Sequence, residues 1–172
     1  MNSETPSFPD HILPYIKDIK HSFMAFRNGI VSDTLRKAGL PHSIIFGLQL
    51  PQISQIASCL RNKIENGLPD SPDKVTAKLD EIADSLWSDK NVRESRLLAC
   101  YLFSTNLTDS DRAMKLACGI LSKEEADILC FRLLKRLPFA DQIKDKLSNI
   151  GQSPENALQV YCGVALRRNL EA

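Results

Sequence analysis

The sequence predicts an all-α protein, and three features support this fold class. Apolar residues recur at spacings of three and four along almost the whole chain, as on the buried face of a helix. No stretch of four or more residues alternates cleanly between apolar and polar, as a half-buried strand does. In the second half, the second helix of each predicted helical pair begins 31 residues after the second helix of the pair before it. This regularity is typical of an α-solenoid.

In the N-terminal part, residues 9–66, the sequence predicts helices that are less regularly spaced than those of residues 73–170. Pro9 opens a first helix that runs to about Asn28. Ser32 is predicted to cap a short helix that Gly39 ends.

The next segments predict a connection, a helix and a loop. Residues 40–50 combine Pro and Gly with an apolar centre, which favours an ordered connection packed on the core. Pro51 then starts a helix that ends near Gly67. The Gly, Pro and Ser content of residues 67–72 predicts a surface loop.

Residues 73–170 predict regular helical pairs. The expected helices are 73–88, 91–104, 108–120, 122–137, 138–150 and 154–169. Ser122 and Glu125 have the spacing of a capping box, and Ser153 before Pro154 is a typical helix start.

The second helix of each pair begins at Asn91, Ser122 or Ser153, and the 31-residue interval also aligns one helix face. The aligned positions are Ser95, Ala126 and Ala157; Leu98, Leu129 and Val160; Ala99, Cys130 and Tyr161; Leu102, Leu133 and Val164; and Phe103, Leu134 and Ala165. A helical pair that cannot bury its apolar face alone buries it by stacking on the next pair. We therefore expect a single solenoid domain over residues 1–172, with a generic helical bundle as the alternative.

The charge balance limits the classes of function. The chain has 22 Lys and Arg against 21 Asp and Glu, a formal net charge of +1. This balance excludes the bulk basicity that drives non-specific nucleic-acid binding, so any anion-binding function must be local.

The cysteines and histidines do not predict a metal site. The five cysteines are odd in number and lack metal-ligand spacing, so we expect buried reduced thiols. His11, His21 and His42 are scattered, and we expect surface or capping roles for them. No glycine-rich phosphate loop or nucleophile elbow is present, and no cofactor is predicted.

The N-terminal segment is polar and lacks the features of a signal peptide. No apolar run approaches the roughly 20 residues of a membrane span. We therefore expect a cytoplasmic protein without a membrane partner.

Two short segments resemble the DNA alkylation repair family. In that family an LW pair precedes a helix reading roughly H-E-x-R-L-L-A; here Trp87 precedes Glu94, Arg96 and Leu97-Leu98-Ala99, with Arg93 at the His position. Upstream, residues 46–51 resemble the family's hG(h)xxP connection into a helix. The resemblance implies a HEAT-like (armadillo-type) right-handed superhelical domain and binding to duplex DNA. The family includes alkylpurine DNA glycosylases.

The resemblance does not extend to the residues of the active members. Those members carry a Trp and an Asp four residues apart on the following helix. Here residues 124–137 contain no Trp, and the residue four positions after Asp127 is Phe131. Efficient base excision is therefore not predicted. The remaining catalytic candidates are Asp127 and Glu94, whose carboxylates could stabilise a developing sugar cation; both also fit ordinary structural roles as an ion-pair partner and a first-turn helix acid.

Six basic residues are candidates for nucleic-acid contact: Arg93, Arg132, Lys135, Arg136, Arg167 and Arg168. Arg136 and Arg167 are again 31 residues apart, so stacked repeats would place them in one column that can contact phosphates. The simpler explanation is that cations complement the C-terminal ends of helices. The predicted function is nucleic-acid binding, and the alternatives are a protein-interaction scaffold or an active alkylpurine DNA glycosylase.

Overall fold

A computed structural model describes residues 8–172, and within this range the protein is all-α, as predicted. The helices are α1 (Leu13–Ala25), α2 (Gly29–Lys37), α3 (Leu50–Gly67), α4 (Pro72–Ser88), α5 (Arg93–Leu102), α6 (Ser110–Cys118), α7 (Lys123–Arg132), α8 (Ala140–Ser148) and α9 (Ala157–Glu171). Two short 3-10 helices cover Leu134–Arg136 and Pro154–Asn156. The described residues contain no strand, and a single isolated bridge joins Ile44 to Val92.

The chain divides into two compact units, with the boundary between Phe103 and Ser104. In unit 1, α3 and α4 both pack against α5, and α1 packs against α3. Leu97, Leu98 and Ala99 of α5 are fully buried in this core. In unit 2, α7 and α8 both pack against α9, and α6 contacts α8 and α9.

The start of α2 differs from the prediction. Asn28, not Ser32, is the N-cap, and its side chain accepts a hydrogen bond from the Val31 N–H at 3.2 Å. Ser32 lies inside α2, where its hydroxyl donates to the buried Ile45 carbonyl at 2.7 Å. The prediction for Ser32 is wrong because Asn28, one turn earlier, already caps the helix by accepting from the Val31 N–H. Gly39 follows the helix end with a φ of +82°, as expected for its position.

The predicted helix over 122–137 ends early, since α7 stops at Arg132 and a 3-10 turn follows. Its capping box is also shifted by one residue. Ser122 accepts from the Glu125 N–H at 3.2 Å, but the Glu125 carboxylate accepts from the Leu121 N–H at 2.8 Å.

The 31-residue alignment holds in α5 and α7 and fails in α9. Within unit 2, α7 packs against α9, but the aligned Val164 is 38% exposed. Of the five aligned positions in α9, only Ala165 is buried; the other buried residues of this helix are Cys162, Gly163 and Leu166. Gly163 lies so close to Leu147 of α8 that a Cβ atom there would be 3.1 Å from the Leu147 Cβ. This close approach fixes which face of α9 turns inward.

Candidate nucleic-acid interface

The two segments that resemble the repair family contact each other inside unit 1. The fully buried Glu94 carboxylate accepts hydrogen bonds from the backbone N–H groups of Phe46 at 3.0 Å, Gly47 at 2.9 Å and Leu48 at 3.3 Å. Arg93 donates to the same carboxylate at 2.8 Å. Glu94 therefore anchors the connection before α3 to the start of α5.

Arg93 belongs to this buried cluster as well. Its side chain is 4% exposed and donates to the Leu48 carbonyl at 3.0 Å in addition to Glu94. A buried guanidinium already bound to a carboxylate and a carbonyl is not available to a phosphate. We therefore leave Arg93 and Glu94 out of the interface that we propose below.

Arg96 and Trp87 also form part of the unit 1 core. The Arg96 guanidinium carbon lies 3.6 Å from the centroid of the Trp87 ring, and Arg96 donates to the Trp87 carbonyl. Arg96 is 1% exposed, and Trp87 is buried as well. Ser95 donates to the buried Asp89 carboxylate at 3.2 Å. The matching polar residues of this segment thus hold unit 1 together.

In unit 2, an exposed carboxylate meets an aromatic side chain between α7 and α9. The Tyr161 hydroxyl lies 3.0 Å from each carboxylate oxygen of Asp127, to which it donates a hydrogen bond. Lys123, one turn before Asp127, places its Nζ 5.2 Å from the centroid of the Tyr161 ring. The Arg168 guanidinium carbon lies 5.9 Å from the same centroid.

Phe131 forms a second aromatic centre one helical turn after Asp127. It is 48% exposed, although it is a large apolar side chain. The Lys135 Nζ lies 3.9 Å from the centroid of its ring, and the Arg132 guanidinium carbon lies 5.8 Å away. Cations at these distances are attracted to the face of the ring. We refer to Lys123, Asp127, Phe131, Arg132, Lys135, Tyr161 and Arg168 as the aromatic-basic face.

Four further cations of unit 2 fall into two groups. Arg136 and Arg167 are exposed and make no ion pair within the described residues. Lys144, in contrast, is bound to Asp141 at 2.7 Å, and Lys146 lies 4.0 Å from Asp111. Arg136 and Arg167 therefore keep their charge available to an external anion.

Lys123 and Tyr161 were not predicted from the sequence as site residues. Lys123, Asp127 and Phe131 follow one another at intervals of four, which puts them on one side of α7 and could have been noticed. Tyr161 gave no such signal because its contact with Asp127 depends on how α9 packs against α7.

Three predictions for the cysteines and histidines are wrong. Cys59 and Cys118 are exposed, whereas we expected buried thiols. His42 is 5% exposed, and its Nδ1 lies 3.0 Å from the Lys90 carbonyl, so it is neither a surface nor a capping residue. Within residues 8–172, no group of three or more His, Cys, Asp and Glu is placed to hold a metal ion.

Comparisons with protein-family models, curated proteins and solved structures find no match for this chain. The described helices include none that is both long and apolar enough to cross a membrane.

The contact between Tyr161 and Asp127 should have a measurable effect on the pKa of Tyr161. Burial raises the pKa of Tyr161 above its usual value of 10.0, and the hydrogen bond to Asp127 raises it further. Asp127→Asn removes the negative charge that opposes phenolate formation, so we expect the pKa of Tyr161 to fall. The ultraviolet absorbance of the phenolate measures this shift, with Tyr161→Phe identifying the transition. An unchanged titration in Asp127→Asn would contradict the contact.

Proposed function

We propose that this chain is a nucleic-acid-binding helical-repeat protein that contacts phosphates through the aromatic-basic face and through Arg136 and Arg167, which follow Lys135 and precede Arg168 in the chain. The observation that carries the proposal is the group of cations held around two accessible aromatic rings on α7 and α9. The resemblance to the DNA alkylation repair family makes duplex DNA the first ligand to test. The proposal includes a HEAT-like, right-handed superhelical arrangement and a cytoplasmic location.

The electrostatics of unit 2 support a local anion site in a nearly neutral protein. The aromatic-basic face contains four cations and one carboxylate, Asp127, which already accepts a hydrogen bond from Tyr161. The exposed Arg136 and Arg167 add two further charges in the same unit. Ring contacts limit the freedom of Lys135 and Arg168, so less side-chain entropy is lost when a phosphate binds.

Removing Arg136 and Arg167 should weaken binding to duplex DNA of every sequence. Each phosphate contact contributes about 0.9 to the slope of log affinity against log salt concentration. Arg136→Ala with Arg167→Ala should therefore flatten this slope by about two units. Fluorescence anisotropy of a labelled duplex, titrated at several salt concentrations, measures both quantities.

Lys144→Ala with Lys146→Ala is a charge-matched control for this experiment. These lysines lie in the same unit but face carboxylates of the protein itself, so the slope should stay close to that of the wild type. Equal slopes for the wild type and the arginine double variant would contradict the proposal, as would a lack of binding by the wild type at low salt.

We propose binding without efficient base excision. The helix that carries Asp127 has no Trp, and both oxygens of its carboxylate lie 3.0 Å from the Tyr161 hydroxyl. Incubation of the protein with methylated duplex DNA should release no more methylated purine than buffer alone. Release that disappears in Asp127→Asn would instead identify an active glycosylase with Asp127 as its catalytic residue.

The alternative of a protein-interaction scaffold has its own supporting observation in unit 1. A mostly apolar groove of about 150 Å³ lies between α1 and α3, lined by residues that include Ile19, Phe26 and Ile56. Ile30 of α2 is 82% exposed. This alternative takes precedence if the wild-type protein binds no nucleic acid at low salt.

A further inference from the structure

Two buried cysteines face each other between α7 and α9. The Sγ atoms of Cys130 and Cys162 lie 3.6 Å apart, and both side chains are fully buried. The Cys130 thiol also lies 3.5 Å from the Cys162 carbonyl, to which it can donate a hydrogen bond. Neither thiol has a role in the proposed interface.

The geometry is close to that required for a covalent bond. A disulfide has an S–S distance of about 2.05 Å, so the two sulfur atoms need to approach by about 1.5 Å. Rotation about the two side-chain bonds can supply a movement of this size while α7 and α9 remain packed.

We propose that Cys130 and Cys162 are an oxidation site at which hydrogen peroxide converts two thiols into one intramolecular disulfide. In the first step, one thiol loses its proton, the thiolate attacks a peroxide oxygen and the O–O bond breaks; the leaving hydroxide takes up the proton, so a sulfenic acid and water form. In the second step, the other thiol loses its proton, its thiolate attacks the sulfenic sulfur and the S–O bond breaks; the leaving hydroxide takes up that proton and a second water molecule leaves. The two thiols are oxidised together by two electrons, and one peroxide is reduced to two waters.

Cys118 is the other thiol of unit 2 and is exposed to peroxide. It lies at the end of α6, where its carbonyl accepts a hydrogen bond from Gln159 at 2.9 Å. The test below therefore removes Cys118 together with the exposed Cys59.

The two cysteines are sequence neighbours of the aromatic rings in the aromatic-basic face. Cys130 precedes Phe131 in the chain, and Cys162 follows Tyr161. The bond would therefore tie together the two helices that carry this face. The oxidation site itself rests on the thiol geometry and does not depend on nucleic-acid binding.

The full-length double variant Cys59→Ser with Cys118→Ser removes both exposed thiols and leaves Cys100, Cys130 and Cys162. After treatment with hydrogen peroxide, we expect a mass loss of two hydrogen atoms and the disappearance of two of the three remaining thiols. Peptide mapping without reductant should show a link between Cys130 and Cys162, and dithiothreitol should reverse it.

Three controls test whether the link is specific to Cys130 and Cys162. Cys130→Ala in the same background should abolish the mass loss, whereas Cys100→Ala should leave it unchanged. In concentrated urea, where the fold no longer holds the two sulfurs together, links should be distributed among all three cysteines. The proposal fails if the folded protein keeps three thiols under peroxide, if sulfinic or sulfonic acids form instead of a link, or if the link involves Cys100.

Discussion

Replacing Glu94 with Ala is expected to lower the free energy of unfolding of unit 1 by about 3–5 kcal/mol, the range found when one partner of a buried ion pair is removed. The variant leaves the Arg93 guanidinium buried without its carboxylate, and three backbone N–H groups of residues 46–48 lose their acceptor. Urea denaturation followed by the fluorescence of Trp87, the single tryptophan, measures this loss.

A charge-matched control is Glu81→Ala. Glu81 is 36% exposed and pairs with Lys78 and His11 at the surface, so its loss should cost less than about 1 kcal/mol. Glu94→Gln measures the electrostatic contribution of Glu94 to the free energy of unfolding. The Gln amide oxygen still accepts hydrogen bonds but carries no charge opposite Arg93. A midpoint for Glu94→Ala close to that of Glu81→Ala would show that the cluster does not stabilise unit 1.

The all-α fold class and most helix positions follow from local features of the sequence. Gly67 and Pro72 bound the loop before α4, because proline restricts the backbone and the conformational freedom of glycine disfavours a helix, whatever surrounds them. The N-cap of α2 could not be predicted from the sequence, since both Asn28 and Ser32 are residue types that suit an N-cap. The Ile45 carbonyl, distant in sequence, decides between them by accepting the Ser32 hydroxyl.

The candidate site was predictable in part, since Asp127, Arg132, Lys135 and Arg168 were among the predicted site residues. The spacing of Asp127 and Phe131 fixes their shared side of the helix, but the position of Tyr161 depends on the close packing of Gly163 against Leu147. Sequence alone also did not distinguish the buried Arg93 from the exposed Arg167. The difference arises from residues 46–48. Their backbone N–H groups donate to the buried Glu94 carboxylate, and the Leu48 carbonyl accepts from Arg93. These contacts stabilise both charged side chains in the core of unit 1.

Gly47→Ala is expected to lower the free energy of unfolding of unit 1 by about 3 kcal/mol or more. Gly47 has a φ of +82°, and a Cβ atom there would lie 2.2 Å from the Asn28 carbonyl oxygen and 2.8 Å from the Ser32 nitrogen. Both contacts are with backbone, so relief requires the connection to move away from α2. That movement would strain the hydrogen bond from the Asn28 N–H to the Phe46 carbonyl, which is 2.8 Å long.

Gly39→Ala separates the two causes of the destabilisation in Gly47→Ala, which are the left-handed backbone conformation and the close contacts of the added Cβ atom. Gly39 has the same φ of +82°, but nothing lies within 4 Å of the added Cβ atom. Its variant should therefore pay only the cost of the left-handed backbone, about 1–2 kcal/mol. Urea denaturation of both variants measures the difference, which is the contribution of the close approach between α2 and the connection. Equal losses would mean that the backbone conformation alone makes glycine necessary at position 47, and that the connection can shift without disturbing its hydrogen bonds to Glu94.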